Sequence, residues 1–145
     1  MKVPVKVLVL NGPNLGLLGT RQPEIYGHTT LPELEEMLRA RGKELGAEVE
    51  CVQSDDAATL IAALEKTDAE AVILNPAALT HYSHDLREAV AAYQGPVFEV
   101  HISNIYAREP YRRHSLISPV ARGSIIGLGI RGYLLALEAA VEGRP

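Results

Sequence analysis

A chain of 145 residues, 47% hydrophobic and 22% charged, is long enough to bury a real core and lies near the globular average, which excludes a disordered tract or a fibre. Its formal net charge of −4 argues against broad electrostatic contact with nucleic acid. Cys51 is the only cysteine, so no intramolecular disulfide and no thiolate cage for zinc is available; the residue reads as quiet packing in a strand within a reducing compartment. The N-terminus lacks the apolar stretch of a secretory signal and no apolar run reaches about 18 residues, so a cytoplasmic protein without a membrane partner is expected.

Residues 6–10 form an apolar run ended by Asn11-Gly-Pro, the pattern of a strand entering a turn. Residues 31–45 have helical spacing, with Leu31, Leu34, Leu38 and Leu45 broadly on one face, Thr30 as N-cap and Gly46 as the stop. Residues 48–53 alternate as a second strand, and Asp55 or Asp56 caps a helix running through Leu60, Ile61 and Leu64. Residues 71–74 are a continuous apolar strand broken at Asn75-Pro76, and 84–93 a helix closed by Gly95-Pro96. A fourth strand at 97–102, a fifth at 124–126 and a last helix at 133–141 complete the chain.

Short apolar strands alternating with helices give a parallel sheet covered on both faces. Five of them at this length fit a flavodoxin-like doubly wound α/β sheet, order 2-1-3-4-5, in one domain spanning residues 1–145. Ligands on such sheets bind at the carboxyl ends of strands, where the strand order reverses. Three ends are chemically loaded: Asn11 to Asn14, Asn75 to His81, and His101 to Arg112.

Glu99 and His101 stand two apart on an otherwise apolar strand, so both point to one face. Arg108, Arg112 and Arg113 follow, a combination that suggests an anionic ligand beside an acid–base group. Read from residue types alone, His101 is a core histidine, a metal ligand together with His81, Glu99 and His114, or an acid oriented by Glu99. No His-x-x-x-His chelating spacing, no Gly-x-Ser-x-Gly elbow, no P-loop and no Gly-x-Gly-x-x-Gly motif is present. The segment 11–27 is longer than an ordinary connector and carries Arg21 and Tyr26 between Gly19 and Gly27, as a hinged lid would. A tyrosine base there starts from a reference pKa of about 10, so forming the anion at pH 7 costs roughly 4 kcal/mol unless cations such as Arg21 or Arg108 assist. The bland alternatives are a turn-rich connector at 11–27, a helix entry capped by Thr80 or Ser83 at 75–83, and a solvated or intersubunit surface at Arg113 and His114.

Several blocks stand in order along the chain: Leu10-Asn-Gly-Pro-Asn-Leu15 with Leu18-Gly19, Pro23-Glu-Ile-Tyr-Gly27, Asn75-Pro-Ala-Ala-Leu-Thr-His81, Glu99-Val-His-Ile-Ser-Asn104, Ala107-Arg-Glu109, Arg112, His114-Ser115, Ile117-Ser-Pro119 and Gly127-Leu-Gly129. Taken together, they resemble the type II 3-dehydroquinate dehydratase (type II dehydroquinase) family over nearly the whole chain. The resemblance implies a flavodoxin-like fold and elimination of water from 3-dehydroquinate through an enolate, within the shikimate pathway. It implies Tyr26 as base in a mobile lid, His101 as general acid, Arg21 as the lid arginine at the transition state, and Asn14 as holder of a water near the enolate oxygen. Arg108 matches the arginine that favours the tyrosinate, and Glu99 the carboxylate behind the histidine. Substrate contacts map to Asn75, His81, Ile102, Ser103 and Arg112, with Glu88 reaching in from a neighbouring subunit. No metal, no cofactor and no Schiff-base lysine is implied, and self-assembly is as a homododecamer, a tetramer of trimers. The chain departs from the pattern at Asp55-Asp-Ala-Ala58, where many members have Asn-His-Glu-Gly, at Glu88 in place of Asp, and at Ala77 in place of Gly.

Overall fold

The computed structural model describes residues 3–142, so the two ends of the expected 1–145 domain lie outside the described residues. The chain forms β1 (Val5–Asn11), a single turn α1 (Pro23–Tyr26), α2 (Leu31–Leu45), β2 (Ala47–Gln53), α3 (Ala57–Lys66) and β3 (Ala71–Asn75). It continues as α4 (His84–Ala92), β4 (Val97–His101), β5 (Gly123–Ile126) and α5 (Arg131–Glu142). The strands build one parallel sheet in the order β2-β1-β3-β4-β5, the flavodoxin-like topology expected.

Strand alternation divides the core in two. Val7, Val9, Ile73 and Val100 face Leu34 and Leu38 of α2 and Tyr133 and Leu137 of α5. Leu8, Leu10, Val72, Leu74 and Val97 face Leu60 and Leu64 of α3 and Leu86 and Val90 of α4. The central strands β1 and β3 are thus apolar on both sides, as a doubly covered sheet requires, while the edge strand β2 turns Glu48 and Glu50 outward. Caps fix the helix starts. Thr30 and Glu33 form a reciprocal capping box on α2, Asp56 rather than Asp55 caps α3, and Ser83 rather than Thr80 caps α4. The differences from the sequence reading are at element ends. β4 stops at His101, α5 starts two residues early, and α1 was not anticipated because four residues carry no periodic signal.

Register sets the carboxyl ends abreast, with Asn11 opposite both Gln53 and Asn75. The order reverses between β1 and β3, where the backbones come very close. Gly12 N donates to Asn75 O at 2.8 Å, and a Cβ at Gly12 would lie 2.7 Å from Pro76 O. Only glycine fits there.

Candidate active site

The loops leaving β1, β3 and β4 enclose a cavity of about 150 Å³. Asn14, Arg21, Tyr26, Asn75, His81, His101, Ile102, Ser103, Arg108 and Arg112 all line it, so ten of the residues singled out in the sequence converge. Among the described residues the lining holds three arginines and no carboxylate, which makes the cavity locally positive within a chain of net charge −4. Its small size and positive lining suit a compact anion.

Glu99 lies just beneath the cavity, fully buried. Its Oε2 accepts from His101 Nε2 at 2.6 Å and from the hydroxyls of Thr80 and Ser115, each at 2.8 Å. Its Oε1 accepts from Ser124 Oγ at 2.9 Å and from Ser118 Oγ. Burial pushes the carboxyl pKa up, but the hydrogen bond and charge of His101, with the Ser118 and Ser115 hydroxyls, outweigh it and bring the group down to about 2. Glu99 is therefore an acceptor only, which assigns the hydrogen between the two side chains to His101 Nε2. His101 Nδ1 remains as the ring nitrogen free to exchange a proton with a ligand.

Arg108 ties the segment expected to act as a lid to the loop after β4. Its Nη1 donates to Tyr26 Oη at 2.8 Å and lies 3.4 Å from Ser103 Oγ, and its guanidinium sits 5.7 Å from the centre of the Tyr26 ring. Arg108 is held in turn through its carbonyl, which accepts from Arg113 Nε at 3.1 Å. Gly19 and Gly27, which bracket the segment, have φ of 91° and 82°. Leu17 O accepts from Thr20 N and Arg21 N, both at 3.1 Å, and so anchors the segment's start.

Asn14 takes a left-handed backbone, φ 69°, and its N–H donates to Asp55 Oδ1 at 2.9 Å. Gln53 Nε2 donates to that same oxygen and to Gly12 O, each at 3.1 Å, which ties the β1 loop to β2. Asn75 is clasped by Tyr133 and Ala77 N, at 2.8 and 3.0 Å. His81 Nδ1 donates to the His114 carbonyl at 2.7 Å and leaves Nε2 unengaged. Arg112 Nε faces Glu109 Oε2 at 2.8 Å and Tyr111 Oη at 3.0 Å, so its Nη donors stay available. Glu88 does not line the cavity; it is exposed on α4 and pairs with Arg87 at 2.7 Å. The four residues weighed as a metal set do not form one, and among the described residues no three His, Cys, Asp or Glu side chains gather in a way that would hold an ion.

Sequence reasoning missed the Glu99 hydroxyl ring, the Asp55 bond to Asn14 and the part played by Tyr133. The first had a usable signal. A carboxylate on an apolar strand needs buried donors, and Thr80, Ser115 and Ser118 stand in the polar segments that follow β3 and β4. Tyr133, inside an ordinary amphipathic helix, gave none.

The comparisons agree with this fold. Residues 5–141 match the family described as dehydroquinase class II. The chain is 51% identical over 138 residues to the 3-dehydroquinate dehydratase of Pelotomaculum thermopropionicum, covering 94% of this chain and 96% of that one. It is 53% identical over 137 residues to the protein of the same name from Dictyoglomus turgidum, covering 93% and 94%. The crystal structure of type II dehydroquinase from Butyrivibrio crossotus superposes with a TM-score of 0.93 at 37% identity, over 96% of this chain and 99% of that one. The chain belongs to the class II dehydroquinase family.

Proposed function

We infer that the chain is a hydro-lyase that converts 3-dehydroquinate to 3-dehydroshikimate and water, a step of the shikimate pathway. The observation that carries the chemistry is the pairing of Tyr26 with Arg108 in the cavity lining and of His101, also in the lining, with Glu99 beneath it. Arg108 donates onto the phenol oxygen of Tyr26, the atom that acts as the base. Tyrosinate takes the proton next to the ketone, and the electron pair moves into an enolate. Asn14 holds a water that donates to the enolate oxygen, and Arg21 adds positive charge from the lid, so charge is met as it develops. The enolate then collapses, the C1–O bond breaks, and His101 Nδ1–H protonates the departing hydroxyl as water. Arg112, His81, Asn75 and the Ile102–Ser103 segment bind the carboxylate and hydroxyls. Among the described residues no lysine lines the cavity, in keeping with a route through an enolate rather than an imine.

The chain works as a single catalytic domain in the cytoplasm, assembled as a homododecamer of four trimers. Two observations support assembly. Glu88 is exposed and outside its own cavity, as a residue that reaches the substrate of a neighbouring copy would be. Tyr82, Tyr106, Tyr111 and Leu128 are also exposed, at 62%, 52%, 63% and 54%, a large apolar surface for one chain to leave to water. Among the described residues no helix is long and apolar enough to cross a membrane.

Absorbance growth from the conjugated enone when the protein meets 3-dehydroquinate tests the reaction. Tyr26→Phe tests the base: kcat should fall by about 10²–10⁴-fold. Activity within tenfold of wild type would remove Tyr26 from that role. Sedimentation measures the assembly.

A further inference from the structure

We propose that Tyr133, braced by Asn11, is a positioning residue that locks the orientation of the Asn75 amide so that its Nδ2 presents a hydrogen-bond donor to the cavity. The ligand group met there is then an oxygen with a free lone pair. The inference rests on the reading of the cavity as the dehydroquinate site.

The three side chains form a buried chain of hydrogen bonds. Asn11 and Tyr133 are 0% exposed and Asn75 is 3% exposed. Asn75 Oδ1 accepts from Ala77 N at 3.0 Å, Asn75 Nδ2 donates to Tyr133 Oη at 2.8 Å, and Tyr133 Oη donates to Asn11 Oδ1 at 2.6 Å. Each direction is forced in turn. The backbone N–H of Ala77 can only donate, so it must meet the carbonyl end of Asn75. That turns Nδ2 toward Tyr133. The phenol oxygen accepts there, and its one hydrogen must go to Asn11. A flipped Asn75 amide would set NH₂ against N–H and strand both. Among the described residues the second hydrogen of Asn75 Nδ2 has no partner, and Asn75 lines the cavity. That hydrogen is what a ligand meets.

Asn11 adds an independent observation. Its Nδ2 is buried with no partner among the described residues, so the residue keeps its carbonyl on Tyr133 while its own donor goes unmet. A leucine or valine at this strand end would pack with no such loss. The Tyr133 ring sits in the core against α2, so the hydroxyl is separable from the packing.

Tyr133→Phe keeps the ring and removes only the hydroxyl. For 3-dehydroquinate, KM should rise about tenfold while kcat changes less than threefold. In an Asn75→Ala background the same change should cost less than twofold, because the residue it positions is gone. A full penalty in that background overturns the proposal, as does an unchanged KM. If Tyr133→Phe does not fold, Asn11→Ala carries the same cycle, with an expected KM rise of about threefold that disappears with Asn75→Ala. The side-chain amide resonances of Asn75 give a readout without turnover. In wild type the bonded proton should be shifted and protected, and in Tyr133→Phe it should move to the free-amide position. Resonances that do not move overturn the positioning role. A wild-type protein that does not turn over 3-dehydroquinate overturns only the functional reading, and the amide spectrum still judges the lock.

Discussion

Ala77 carries a left-handed backbone at φ 52°, a region that costs a residue with a Cβ about 1–2 kcal/mol. It is held there because its N–H serves Asn75 Oδ1. The sequence already marked this residue as a departure from the family's glycine, and the φ angle gives that departure its physical meaning. Ala77→Gly relieves the strain but frees the unfolded chain by about 0.4–1 kcal/mol, so the net gain is small. A rise of about 1–3 °C in the melting midpoint is expected by calorimetry, and a fall would show that the alanine methyl packs usefully. Other single residues were illegible for a different reason. His114 acts through its carbonyl and Arg113 through a bond to the Arg108 carbonyl, so their side-chain types do not announce either contact. Asp55 looked like a helix cap and instead holds Asn14 N–H, because the choice between Asp55 and Asp56 depends on where the β1 loop lies.

Elements with a repeating pattern were legible. The strands and long helices announced themselves through apolar runs, 3.6-residue spacing and caps, since burial on two sheet faces demands those patterns. The lid segment was visible only as excess length with a glycine at each end. Its one helical turn, α1, was not, since four residues hold too few apolar positions to define a face. The segment closes on itself at its base, where a Cβ on Gly19 would lie 2.8 Å from His28 O. Tyr26, by contrast, is joined to the loop after β4 through Arg108. Such a segment should move as a unit about a fixed base. Amide exchange across residues 20–27 should slow by about tenfold or more when 3-dehydroshikimate is bound, read by mass spectrometry. Exchange that stays the same would rule out closure over the ligand.

Across the whole molecule, the topology did most of the work. An order of 2-1-3-4-5 brings the ends of β1, β3 and β4 together, which is why three loaded strand ends were expected to converge, while Arg21 and Tyr26 were placed with them by the family resemblance. The cost of burying an ionised Glu99 under that cavity is also borne by the whole fold, and it links stability to pH. Its folded pKa is depressed from 4.5 to about 2, so its contribution is fully present above about 4.5 and is lost as pH falls through about 2. The shift corresponds to roughly 3 kcal/mol. Glu99→Gln should therefore be less stable than wild type by about that amount at pH 7, with the gap narrowing between about pH 4.5 and 2 in chemical denaturation. A gap that stays constant over that range would mean that the carboxylate's charge is not the source. The same ring of donors has a kinetic corollary. In the proposed mechanism one turnover leaves a proton on Tyr26 and removes one from His101, so the protein would end each cycle with its two protons exchanged. Glu99, already saturated by five donors, has no free lone pair with which to store or pass one on. The reset must run through the cavity itself, from Tyr26 to His101 Nδ1 directly or through solvent, and recovery of the acid is thereby tied to emptying the site of product.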